Sequence, residues 1–142
     1  MFEMKIRSIQ KIAYYQSPEE KKMSRIIKKK AVMYGDVCYS VINLKTLQKC
    51  EISPQKAVRL VNVLANIYPT TKSYALFVYF TDKEINVELR SNKGYAVHEV
   101  AKMFQGGGHR YASGCTIYEG EHTPEEVVAA MNEVKEPDYA GV

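Results

Sequence analysis

The chain has 142 residues, 46% of them hydrophobic, enough for one domain that buries its own core without disulfides or metal ions. Its three cysteines, Cys38, Cys50 and Cys115, are an odd number at wide spacing, which fits neither a disulfide framework nor a zinc site, and no apolar stretch or leader pattern suits a membrane or secretion; a soluble, cytoplasmic protein with reduced thiols is expected. The net charge of +4 divides unevenly, because residues 1–72 hold 14 Lys and Arg against 5 Asp and Glu (+9), whereas residues 73–142 hold 6 against 11 (−5).

In chain order, Phe2, Ile6, Ile9 and Ala13 make one apolar stripe, which predicts a short connecting helix to about Tyr15. Ser17, Pro18 and Glu20 supply an N-cap, a proline for the first helical position and a capping-box glutamate, so a second helix starts there, with Met23, Ile26, Ile27 and Met33 or Tyr34 on its buried side. The cluster Lys21, Lys22, Arg25, Lys28, Lys29 and Lys30 covers much of the remainder. A face that tracks nucleic acid and a merely solubilising surface both remain open for it. After Gly35-Asp36, residues 37–42 (VCYSVI) have the content of a buried strand. Ser53-Pro54 begins a helix carrying Val58, Val61, Val63, Leu64 and Ile67, which ends near Tyr68-Pro69. Residues 74–80 (YALFVYF) and 85–90 (INVELR), joined by Thr81-Asp82-Lys83, form a hairpin with Ile85, Val87 and Leu89 on one face and Asn86, Glu88 and Arg90 on the other. Helical spacing of Val97, Val100, Ala101 and Phe104 predicts a short helix, residues 115–118 a last strand, and Thr123-Pro124 with Glu126 a closing helix with a complete capping box.

Between that short helix and the last strand stands Phe104-Gln105-Gly106-Gly107-Gly108-His109-Arg110-Tyr111-Ala112-Ser113-Gly114. Three glycines leave backbone N–H groups uncovered, His109 can donate to a phosphate oxygen, and Arg110 adds a fixed positive fork, so the stretch reads either as an anion cradle or as a glycine-rich turn. It follows a helix C-terminus, whose dipole disfavours anions, and it lacks the Gly-Lys-Ser or Gly-Lys-Thr of a nucleotide P-loop. Tyr111 reads as a core tyrosine, with base stacking as the alternative.

The motif Phe-x-Gly-Gly-Gly-His-x-x-Ala-Ser-Gly, with Leu89-Arg90-Ser91 upstream and the helix over 96–104, resembles the C-terminal DHH-associated domain of DHH-family phosphoesterases. Ala112-Ser113-Gly114 and Thr116-Ile117 are most similar to the oligoribonuclease and 3′-phosphoadenosine-5′-phosphate (pAp) phosphatase branch, with RecJ-like members nearby. Gln105 departs from the pattern, standing where many members have a fourth glycine. The resemblance implies an α/β (α+β) fold, a mixed sheet of about four or five strands with helices on it, over residues 34–136, with 1–33 a helical connector and 137–142 a disordered tail. It implies that Arg90, Ser91, Gly106, Gly107, Gly108, His109 and, more weakly, Arg110 hold the phosphate of a short RNA, single-stranded DNA or nucleotide. No catalytic residue or metal ligand is expected in this chain, because there is no Asp-His-His triplet; Mn or Mg would belong to an N-terminal DHH catalytic domain, the expected partner. The alternative is an interaction or regulatory module that keeps the fold without binding nucleotide.

Overall fold

Ser17 opens the first helix of the structure, a computed structural model that describes residues 16–137. The connecting helix expected to Tyr15 and the tail from 138 lie outside these residues. The Ser17 hydroxyl accepts from the Glu20 amide and the Glu20 carboxylate accepts from the Ser17 amide, both at 3.1 Å, so the capping box is complete. Helix α1 (Pro18–Lys30) buries Met23, Ser24 and Ile27. It ends before Met33, because Ala31 is already extended and the chain turns into β1 (Val32–Tyr34), which returns through Gly35 at φ +59° into β2 (Val37–Ile42). Asn43 then caps α2 (Leu44–Cys50), an element the sequence pattern does not announce. Ser53 caps α3 (Pro54–Ala57), which tightens into a 3-10 helix, Val58–Leu64, instead of continuing as one α-helix to Tyr68. Val58, Val61 and Val63 are β-branched, and such side chains lose rotamer freedom against the preceding α-helical turn.

The expected hairpin follows as β3 (Ser73–Tyr79) and β4 (Glu84–Ser91), with the Thr81 hydroxyl accepting from the Lys83 and Glu84 amides. Then come α4 (His98–Met103), β5 (Gly107–His109), β6 (Ala112–Tyr118) and α5 (Pro124–Asn132). Thr123 caps α5 through the Glu126 amide at 3.2 Å, but the Glu126 carboxylate meets His122 Nδ1 at 2.8 Å, so that capping box is only half formed.

The strands make one sheet in the order β1-β2-β3-β4-β6-β5, parallel between β2 and β3 and antiparallel elsewhere. The mixed sheet is thus as expected, with three-residue strands at its two edges bringing the count to six. On one face, α1, α2, α3 and the 3-10 helix cover Cys38, Ile42, Tyr74, Leu76 and Val78. On the other, α4 and α5 cover Phe77, Ile85, Val87, Leu89 and Ile117. The coverage is unequal. Among the described residues, no helix lies on the first face beyond the 3-10 helix, which reaches only as far as β4. The face over β4, β6 and β5 is therefore a bare polar shelf, and no described helix is long and apolar enough to cross a membrane.

Candidate functional site

The shelf takes its shape from how α4 ends. Phe104 closes the helix and Gln105 swings to φ +66°; the Gly106 amide donates back to Ala101 O at 2.7 Å and the Gln105 amide to Lys102 O at 3.1 Å. This is the Schellman arrangement, in which the residue after the cap is left-handed and glycine is the usual occupant. Gln105 therefore fills a position with a backbone reason to be glycine.

Only Gly106 of the three glycines stays in irregular backbone; the other two do not form the expected loop. Gly107, Gly108 and His109 form the edge strand β5, paired in register Gly107 with Gly114, Gly108 with Ser113 and His109 with Ala112, and Arg110-Tyr111 is the two-residue turn between β5 and β6. The glycines have different reasons to be glycine. A Cβ at Gly106 would lie 2.2 Å from Gly114 O and 2.6 Å from Cys115 Cβ. Gly108 has φ +137°, and a Cβ there would lie 2.7 Å from Ser113 Cα. Both are required by the fold. Gly107 has neither constraint: its φ lies outside the left-handed region, and a Cβ there would meet nothing within 4 Å. No contact within the chain explains the missing side chain at Gly107.

Cross-strand register sets what lies beside it. Residues directly opposite in antiparallel strands share a face, so Arg90, Ala112 and His109 form one row on the shelf, and Glu88, Gly114 and Gly107 the next. At about 4.8 Å per strand, the backbones of Arg90 and His109 are about 10 Å apart. His109 is exposed. Arg90 is half-buried and already engaged: Nη2 donates to Glu88 Oε1 at 3.2 Å, and Nη1 donates to Leu89 O at 2.9 Å and Ser113 O at 3.4 Å. Those bonds occupy three of the five donors of a guanidinium and leave two without a partner among the described residues. Glu88 is itself held, its Oε2 accepting from Asn86 Nδ2 at 2.9 Å.

Ser91 and Arg110 do not join this row. Ser91 lies on the opposite face from Arg90, where its hydroxyl accepts from the Tyr95 amide at 2.7 Å and fixes the turn after β4. Arg110 stands at the hairpin tip, its guanidinium 5.7 Å from the centre of the Tyr111 ring, and leans toward the groove between α4 and α5. Tyr111 is not a core residue; it is 49% exposed on the same tip. Asn86, Glu88 and Thr116 extend the shelf away from the row, and sequence reading had not singled them out for function, although their alternation with Ile85 and Val87 already put two of them on the polar side. Beneath the shelf, burial pushes the Cys115 thiol up to about 11, with Glu88 adding to the effect, so Cys115 is a packing residue and not a nucleophile. A divalent metal does not fit these residues: among the described residues no three His, Cys, Asp or Glu side chains come together.

Comparisons with known proteins bear on the family and the fold. The bifunctional oligoribonuclease and PAP phosphatase NrnA of Mycoplasma genitalium is 36% identical over 83 residues, covering 58% of this chain and 25% of that protein. Its Bacillus subtilis counterpart is 38% identical over 77 residues, covering 54% and 24%. The matched region thus spans about a quarter of the length of these relatives. Among solved structures, an exopolyphosphatase-related protein from Bacteroides fragilis shares the fold with a TM-score of 0.72 at 21% identity, over 89% of this chain and 37% of that one. Residues 35–136, most of the chain and all of the shelf, match the DHHA1 domain, and the chain belongs to that family.

Proposed function

We propose that this chain is the substrate-holding domain of a DHH-type phosphoesterase, and that its shelf binds the phosphate of a short oligonucleotide or nucleotide. Gly107 carries the reading. An open position on an edge strand, with no steric or conformational need for glycine, is what a close approach of ligand to main chain requires. A phosphate lying on Gly107 has the His109 imidazole next to it along the strand, and the free donors of Arg90 approach from the same face. The relatives named oligoribonuclease and PAP phosphatase act on such phosphates, which supports the same substrate class here. The chain's part is to bind and orient. Among the described residues no three metal-ligating side chains come together; in this reading hydrolysis belongs to a catalytic half of the DHH type, where Mn or Mg would supply the activated water.

The test is calorimetric titration with a 5′-phosphorylated dinucleotide and with pAp at low salt. His109→Ala and Arg90→Ala are each expected to weaken binding tenfold or more, since a charge-assisted hydrogen bond contributes about 1.5–3 kcal/mol. Gly107→Ala is expected to weaken it as much while leaving the melting temperature unchanged or slightly raised, whereas Gly106→Ala destabilises the fold. The second reading, a module that keeps the fold without nucleotide, draws on the prior engagement of Arg90 by Glu88 and two carbonyls. Absence of heat for either nucleotide, with the fold intact, would favour that second reading.

A further inference from the structure

The helices beside the shelf carry an unbalanced charge. Residues 17–30 and 43–66, the layer of α1, α2, α3 and the 3-10 helix, hold ten Lys and Arg against three Glu. All ten cations are exposed, including every Lys and Arg of α1, Lys45 and Lys49 on α2, Lys56 on α3 and Arg59 on the 3-10 helix. None of them is in an ion pair among the described residues; the paired cations, Lys72 with Asp36 and Arg90 with Glu88, stand elsewhere. Of the three acids, Glu20 is taken up by the Ser17 capping box. A solubilising surface ordinarily intersperses both signs, which limits self-repulsion. Seven uncompensated positive charges on one layer are what a polyanion neutralises.

The layer is continuous with the shelf. The row His109, Ala112, Arg90 runs on to Tyr74, its register partner on β3, whose hydroxyl donates to Asn62 Oδ1 at 3.0 Å. Asn62 is on the 3-10 helix, and with Asn66 and Lys28 it lines a concavity between that helix and the C-terminal end of α1. The hydrogen bond from buried Tyr74 to Asn62 thus joins the shelf's row to the helical layer that carries the cations.

We propose that the outer face of this layer is a second anion-binding surface, which carries the backbone of a single-stranded nucleic acid beyond the nucleotides held on the shelf. The proposal rests on the reading above for the placement of the strand's end, but the cations can bind the strand without it. A single strand is specified by the step between the two surfaces: a helix stands about 10 Å thick on the sheet, and a strand whose end lies on the sheet floor must climb it. A flexible strand bends over such an edge, while duplex, with a persistence length of about 150 base pairs, does not.

The experiment compares 5′-phosphorylated thymidine di- and dodecanucleotides binding to the full chain between 50 and 200 mM salt. The dodecamer is expected to bind at least tenfold tighter at 50 mM, with each engaged phosphate adding about −0.7 to the slope of log K against log salt. In a variant combining Lys22→Gln, Arg25→Gln, Lys28→Gln and Lys29→Gln, the length advantage disappears, the slope becomes shallower by about 2–3 units, and dinucleotide affinity is unchanged. His109→Ala does the reverse, losing the dinucleotide while keeping salt-sensitive dodecamer binding. Dodecamer binding with no dinucleotide binding in the parent chain would remove the shelf reading and leave this one standing. Equal affinity for both lengths, a length advantage that survives the fourfold substitution, or duplex binding as tight as single strand would each overturn it.

Discussion

Gln105 and Gly107 show how differently two neighbouring positions can depart from expectation. The resemblance has a glycine where Gln105 stands, and the structure gives the reason: φ +66° after a helix cap, where a side chain is strained by about 1 kcal/mol or more. Gln105→Gly is therefore expected to raise stability by about 0.5–1 kcal/mol, read as a shift of the urea midpoint at constant slope, without altering nucleotide affinity. A loss of stability would mean that the glutamine side chain makes a contact outweighing the strain. Gly107 is the converse case, a glycine that relieves no strain within the chain.

Among elements, the most consequential join is made by one side chain of α5. Asn132 Oδ1 accepts from the Asp36 amide at 3.0 Å, while Nδ2 donates to Tyr34 O at 2.9 Å and Val128 O at 3.1 Å, so the turn between β1 and β2 is clamped to the last helix across almost a hundred residues of sequence. Asn132→Ala is expected to cost about 1–3 kcal/mol in chemical denaturation, because the turn's carbonyl and amide lose their partner, and to speed hydrogen exchange in β1 before other strands. The elements that the sequence displays are those specified locally. Ser17-Pro18, Ser53-Pro54 and Thr123-Pro124 each begin a helix through a hydroxyl that accepts from the amide three residues on, and the alternation of Ile85, Val87 and Leu89 fixes the buried face of β4. The elements it hides are set by partners far away. Gly107, Gly108 and His109 have no strand pattern of their own and become β5 only because β6 offers a ladder, and β1 depends on β2 in the same way. The candidate site was legible as a motif, through the glycines, His109 and Arg90. Its arrangement was not, since only the register of β4, β6 and β5 puts Arg90 in one row with His109.

For the whole molecule, the two helical layers differ in what they meet: one is basic and borders the shelf, the other closes the opposite face of the sheet. Both cores hold buried thiols, Cys38 and Cys50 on the first face and Cys115 on the second, and burial pushes Cys38 and Cys115 up to about 11 from an ordinary value of 9.0. A folded thiol that keeps its proton longer than the unfolded one makes the native state the more protonated, so stability is full below pH 9 and falls as pH rises from 9 toward 11. Tyr79, hydrogen-bonded to Glu119 and pushed up to about 12, extends the decline upward. Denaturation midpoints should be level from pH 7 to 8.5 and drop beyond, and Cys115→Ala should flatten the segment between 9 and 11; an unchanged slope would show that thiol ionisation does not set it. The shelf's outer wall has a further consequence. β5 is three exposed residues long, two of them glycine, laddered on one side only, and glycine forfeits more chain freedom on ordering than any other residue. An arm held by so short a ladder opens at low cost, so in the proposed function part of a ligand's contact energy would go into holding it closed, and a partner surface laid along its free edge would raise affinity on the shelf without touching the ligand.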